Sequence, residues 1–326
     1  MAKTRDAFFD NYRSFLIFCV VIAHFLNHFK PDFQIACIAR IFIYFFHVPA
    51  FVFISGYFAR KKEVKVLIKQ LVFPYVLFMF IYLVMYKLIG HEVGFSLFYP
   101  YFTLWYIIAL FFWRVAFNLF GNVKYLLPIS IVIALLVGFL PDQYDFFSIY
   151  RIVSFFPFFI LGNKFNKDVF MELKKNKSIQ IISIIILMII FMLVTKYYKR
   201  IDLEILNHQD NYENLGLGNI GAIHKFVLLG ISAGMIYLFG FLIPTKENIF
   251  TFVGKNTMSV YLLHGLIYKF LSLGTDWLDV VDSPLGLILY IIGIMGLVCI
   301  LAKIPLTKYM DKLYDFLIKP IHKIRP

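Results

Sequence analysis

Ionisable side chains are rare inside the apolar runs of this 326-residue chain, and Arg13 and His24 stand in the first of them. A charge left unpaired in hydrocarbon costs roughly 2.5 to 3.5 kcal/mol, so each such residue is a candidate for function. On a helix the step from Arg13 to His24 carries the imidazole ~16 Å further along the axis, near the middle of a layer ~30 Å thick. Two readings of His24 stay open at this point: a packing histidine satisfied by neighbouring helices, or one that hydrogen-bonds a group it acts on. Arg13 either snorkels to the headgroups or serves the same site, with Asp10 and Tyr12 just before it. His28 lies one turn beyond His24, which raises a two-histidine metal site. No carboxylate or cysteine in matching context accompanies the pair, and no metal is expected.

The second apolar run ends in Phe-His-Val-Pro-Ala-Phe-Val-Phe-Ile-Ser-Gly-Tyr-Phe over 46–58. His47 and Ser55 are two helical turns apart and share a face if the Pro49 kink permits. Ser55 and Gly56 suit close helix contact or the approach of a ligand. Arg60, Lys61, Lys62, Lys65 and Lys69 follow; they are a topogenic loop, and they would attract an anionic, phosphate-bearing cofactor. Trp105 and Tyr106 open the fourth run and read as an interfacial belt. Arg151 at the outer end of the sixth run is either a leaflet anchor or a sugar ligand. In 254–265 the spacing of Asn256, Val260 and His264 predicts one helical face, flanked by Ser259 and Tyr261.

These residues must be positioned by membrane-spanning helices. The chain is 61% hydrophobic and only 16% charged, against roughly a quarter charged in soluble domains. Apolar runs of spanning length recur throughout, which excludes a soluble fold and predicts an all-α, polytopic membrane protein of about ten spans. Expected spans are 12–29, 34–58, 68–89, 101–119, 125–140, 148–163, 178–195, 220–241, 249–270 and 284–302, with kinks at Pro49, Pro74 and Pro157. The first run lacks a small-residue cleavage site and is expected to be retained. The net charge of +13 follows from basic cytoplasmic loops and not from a nucleic-acid partner. With this layout 23 of the 32 Lys and Arg residues fall on one side, so both termini are expected in the cytoplasm of a multi-pass cell-membrane protein. One membrane domain over 1–326 is expected, with a basic amphipathic tail at 303–326 and no separate soluble domain. Cys19, Cys37 and Cys299 give neither a disulfide framework nor ligand spacing. The long outer loop 196–219 reads first as a solvated connector and second as a lid over an acceptor site.

The combination resembles the acyltransferase-3 family, in its fucose 4-O-acetylase-like and capsular-polysaccharide O-acetyltransferase branch. The resemblance runs from the first span through the ninth. It is carried by Asp10, Arg13 and His24, the 46–58 segment, Lys65 to Pro74-Tyr75, Leu104-Trp105-Tyr106, the 151–162 segment and 256–264. The resemblance implies ten core helices and transfer of an acyl group, usually acetyl from acetyl-CoA, to a sugar hydroxyl of a surface glycan. It implies His24 as the catalytic histidine and Arg13 as its cofactor-side partner. Relatives carry arginines where this chain has Lys65 and Lys69; lysine keeps the charge and loses bidentate phosphate recognition.

A sugar hydroxyl is a poor nucleophile at neutral pH and histidine is the usual general base, which suits that assignment. Ser55, Ser259 and Tyr261 are the oxyanion candidates, and acyl-CoA, a glycan or lipid-linked sugar acceptor and membrane lipids are the expected partners. The competing reading is a transporter or flippase for a lipid-linked sugar, with His24, His47 and Arg151 along a path and no acyl group moved. A sensor or scaffold is disfavoured, because scaffolding needs no polar residues at depth.

Overall fold

The computed structural model describes residues 5–29, 33–141, 146–275, 281 and 283–322. Lys3, Lys30, Lys323 and Arg325 of the charge count lie outside the described residues. Every regular element among those described is helical: α1 (Ala7–Leu26), α2 (Gln34–Tyr44), α3 (His47–Tyr57), α4 (Val64–Leu67), α5 (Phe73–Leu88), α6 (Trp105–Phe120), α7 (Leu126–Leu136) and α8 (Ile149–Asn163). The second half holds α9 (Lys167–Lys174), α10 (Lys177–Tyr197), α11 (Leu203–Asn207), α12 (Gly221–Leu242), α13 (Thr251–Lys255), α14 (Thr257–Gly274), α15 (Pro284–Ala302) and α16 (Leu306–His322). Eight helical stretches among the described residues are long and apolar enough to span a bilayer. Two expected spans fall short of that standard. The fifth, Leu126–Phe139, is a shorter apolar helix, and the ninth is broken at Asn256 into α13 and α14.

Burial sorts these helices into centre and rim. Of the apolar window of α1, 72% is buried inside the protein, against 17% for the stretch Lys177–Arg200. α10 turns Ile181, Ile185, Met188 and Met192 outward, each at least half exposed. A surface so apolar needs lipid as its solvent, and the chain is a membrane protein. α1 is therefore the axis around which the other helices assemble. Its start is pinned by the Asn11 amide, which donates to the Pro244 and Lys246 carbonyls at 2.9 and 2.8 Å, and by Tyr12 Oη, which donates to the Ile236 carbonyl at 2.7 Å.

The second expected span is two helices, broken at Phe45 and Phe46. Pro49 has no N–H for the carbonyl four residues back, which is that of Phe45. Ser232 Oγ in α12 donates to that carbonyl at 2.6 Å, so the break is paid for by a neighbouring span. Before α5 the backbone widens into a π-helical stretch, Ile68–Val72, ahead of Pro74, whereas Pro157 is carried within an unbroken α8. α3 and α8 cross at backbone contact through Gly56 and Gly162. A methyl on Gly56 would overlap the Phe159 carbonyl, and one on Gly162 the Phe53 carbonyl. Close helix contact is thus the role of Gly56.

The 196–219 loop is not a solvated connector. Tyr212 is 2% exposed; its backbone N–H donates to Gly138 at 2.7 Å and its hydroxyl to the Leu135 carbonyl at 2.8 Å. His208 is buried edge-on against Phe155. The tail forms α16 and docks on the third span, where Asp315 pairs with Lys69 at 2.6 Å.

Candidate active site

A cavity of about 460 Å³ is lined by α1, the α2–α3 break, α6, α8, α14 and the 196–219 loop, within the range of ~300–1,000 Å³ usual for small-molecule sites. α1 lays Arg13, Ile17, Val20, His24 and Asn27 along one wall, the one-face spacing of a helix. Arg13 marks one end. Lys167, which is bonded to Asp6 at 2.5 Å, belongs to that same end of the protein. Arg151, Asn207 and Gln209 also line the cavity, and Arg151 donates to the Gln209 side chain. The long loop thus supplies part of the wall. His24 lies between, half-buried, its Nδ1 sealed from solvent and without a hydrogen bond.

Its surroundings are aromatic and basic. Phe102 meets the His24 ring edge-on at 4.9 Å, and the His264 ring lies 5.4 Å away, centroid to centroid. Among the described residues, the charged and titratable groups that act on His24 are His264, His47, Arg151 and Lys269, none of them acidic. His264 is fully buried, and its Nδ1 donates to the Val260 carbonyl at 2.9 Å. His47 lines the cavity with Ser55, as their spacing predicted, and its Nδ1 is 2.8 Å from the Ile43 carbonyl. Ser55 Oγ lies 3.0 Å from Tyr106 Oη, and Tyr261 Oη donates to the Thr103 carbonyl.

Trp105 and Tyr106 are cavity wall, not an interfacial belt: Trp105 stacks on Phe155, and the Arg151 guanidinium lies 4.7 Å above its ring. Asp10 lies behind the wall, paired with Arg13 at 3.2 Å and with Arg5 at 3.7 Å. Ser259 donates to the Ile304 carbonyl at 2.7 Å, tying α14 to the end of α15. Asn256 is exposed and turned back on Phe252, so the expected stripe through Val260 to His264 begins one turn late. Lys65, paired with Glu63 at 2.7 Å, and Lys69, paired with Asp315, are not among the lining residues.

Arg114 is the residue that the sequence pattern misfiled. Counted with the loop charges, it lies inside α6, with Nη1 buried and without a hydrogen bond. Arg114 and Arg13 both act electrostatically on Tyr106, and Arg60 acts on Arg114. The signal lies in the sequence, since an arginine inside an apolar run is a candidate for function by the same rule as His24. Among the described residues no group of three His, Cys, Asp or Glu side chains could hold a metal ion.

The family model for Acyl_transf_3, described as an acyltransferase domain, matches residues 6–303. This chain belongs to the acyltransferase-3 family. The match covers nearly the whole chain, α1 through α15 included. It identifies a membrane acyltransferase, and hence an acyl donor and an acceptor. No curated protein and no solved structure matches the chain.

Proposed function

We propose that the chain is an O-acyltransferase that moves an acyl group, in the first place acetyl, from acyl-CoA to a sugar hydroxyl. The acceptor is a cell-surface or capsular polysaccharide or its lipid-linked precursor, as in the fucose 4-O-acetylase-like and capsular branch of the family. The observation that carries the reading is one cavity that gathers Arg13, His24 with an unpartnered nitrogen, and Arg151. The reading takes ten spans, counting Leu126–Phe139 and Thr257–Gly274, with both termini in the cytoplasm of a cell-membrane protein.

In this reading Arg13, with Arg114 behind Tyr106, holds the anionic part of the donor, and Lys65 and Lys69 add to the cytoplasmic field that draws it in. Trp105, Arg151, Asn207 and Gln209 receive the sugar. His24 takes the proton of the acceptor hydroxyl as its oxygen adds to the thioester carbonyl. The tetrahedral species collapses with loss of the CoA thiolate, which takes the proton back from His24. An ester and a free thiol result, and His24 ends neutral. Ser55, which lines the cavity beside the Tyr106 hydroxyl, is the candidate donor for the oxyanion, and Tyr261 would have to leave the Thr103 carbonyl to serve as one.

Purified protein given acetyl-CoA and glycan from a strain lacking the gene should release one thiol per ester formed. An ester on a defined hydroxyl, seen by NMR of glycans from cells with the gene and absent without it, identifies the acceptor. A lipid-linked sugar moved across vesicles with no thiol released would support the flippase instead. Reporter fusions at Lys167 and His208 should report opposite sides; the same side for both would refute the ten-span layout.

A further inference from the structure

Two buried nitrogens lack partners and belong to neighbouring rings: Nδ1 of His24 and Nε2 of His264. The His264 ring is 0% exposed, and its other nitrogen, Nδ1, is 2.9 Å from the carbonyl of Val260, one turn earlier in α14. A carbonyl can only accept, so Nδ1 of His264 carries the proton, and its Nε2, in the neutral ring, is a bare acceptor. The His24 and His264 centroids are 5.4 Å apart, with the ring planes inclined by 32°. A direct N–H···N bond of ~2.9 Å between two imidazoles needs centroids ~5.2 Å apart. The observed separation of the two rings is thus within reach of such a bond. Orphaned buried polar atoms are costly, and joining these two removes both.

Nothing else among the groups acting on His24 offers the same service. Arg151 and Lys269 are donors only, and His47, whose Nδ1 likewise donates to a carbonyl, that of Ile43, is not in ring contact with His24 as His264 is. Phe102 packs edge-on against the ring and supplies no acceptor. The familiar orienting carboxylate of a catalytic histidine is missing from this set.

We infer that His264 is the positioning residue of His24: its Nε2 accepts the His24 Nδ1 proton, which leaves the His24 Nε2 lone pair free as the base. This rests on the acyl-transfer reading for its purpose, though not for its geometry. When His24 Nε2 takes the acceptor's proton, the imidazolium keeps a hydrogen bond to a neutral ring instead of facing a wall. No proton passes to His264, whose own Nδ1 proton stays on the Val260 carbonyl.

The test pairs kinetics with ¹⁵N NMR of histidine-labelled protein in nanodiscs, the His24 signals being assigned by their loss in His24→Gln. In the wild type His24 should show the tautomer protonated at Nδ1. His264→Phe, which keeps a ring and removes the acceptor, should give a mixed tautomer. It should also lower kcat by about 10-fold or more, as loss of the partner that orients a metal-bound histidine does, with the KM for acetyl-CoA unchanged. His264→Gln, which places an amide oxygen near the lost Nε2, should restore most of both. Wild-type His24 protonated at Nε2, or a His264→Phe protein with unaltered kcat and tautomer, overturns the inference. Should His264→Phe not fold, the wild-type tautomer alone decides. A wild type that consumes no acetyl-CoA would sink the acyl-transfer reading, and the tautomer would still report on the pairing.

Discussion

The Arg13 guanidinium lies 3.2 Å from the Asp10 carboxylate and 4.4 Å from the centre of the Phe58 ring, so it is held on two sides while remaining part of the cavity wall. Asp10 is itself 2% exposed and shared with Arg5. A buried carboxylate that fixes one guanidinium keeps it from snorkelling away. Arg13→Ala should therefore raise the KM for acetyl-CoA, and Arg114→Ala should do the same. The Lys65→Ala/Lys69→Ala double variant should act mainly through long-range attraction, with an effect that fades as salt rises. Initial rates across donor concentrations at two ionic strengths check this. Unchanged donor kinetics in Arg114→Ala would remove it from the donor site.

The α3–α8 crossing makes a stability prediction that needs no substrate. At Gly56 and Gly162 an added methyl meets a backbone carbonyl, which cannot swing away as a side chain could. Overpacking of this kind costs about 1–3 kcal/mol or more, so Gly56→Ala or Gly162→Ala should lower the detergent melting temperature. Gly230, with nothing near its added Cβ, is the control, and Gly230→Ala should melt like the wild type.

How much of this was legible in the sequence depends on the range of the interaction. The shared face of His47 and Ser55 follows from helical periodicity, which is local, and both line the cavity. The break at Phe45 was read as a kink at Pro49, because the Ser232 hydroxyl that caps the freed carbonyl comes 187 residues later. The loop was read as solvated because its composition is polar; what docks it is Tyr212, whose hydroxyl bonds Leu135 77 residues away. Lys65 and Lys69 were placed by analogy with arginines elsewhere in the family, while Arg114 went unweighed because it stood near a helix end.

His208 makes the outer loop sensitive to acid. Burial, aided by the charges of Lys225 and Arg151, pushes its pKa from 6.5 down to about 3. The docked loop thus holds the proton less tightly than the open loop. Docking is at full strength above pH 6.5 and weakens as pH falls toward 3, by up to ~1.4 kcal/mol per pH unit. Hydrogen exchange over 203–217 should quicken between pH 6.5 and 4.5 in the wild type. His208→Phe should flatten that dependence, since no group is left there to titrate; an equally steep response in His208→Phe would assign the effect to another residue.

His24 gives the sharpest prediction, because the readings of it make opposite demands. As the base it has one task that alanine or glutamine cannot perform, and losing a positioned general base costs about 10² to 10⁴ in rate, or roughly 3 to 5.5 kcal/mol of barrier. As a packing residue it would show its loss first in stability, and turnover would fall only with it. His24→Gln should therefore fold, melt within a few degrees of wild type and bind acetyl-CoA through Arg13 and Arg114, while ester formation drops below detection. His28→Ala, one turn on, should be far milder, whereas a metal shared by the two histidines would make both variants fail together. Turnover, donor binding and melting temperature measured side by side in the two variants separate these outcomes. Near-normal turnover in His24→Gln would end the catalytic assignment and leave the cavity to the flippase reading.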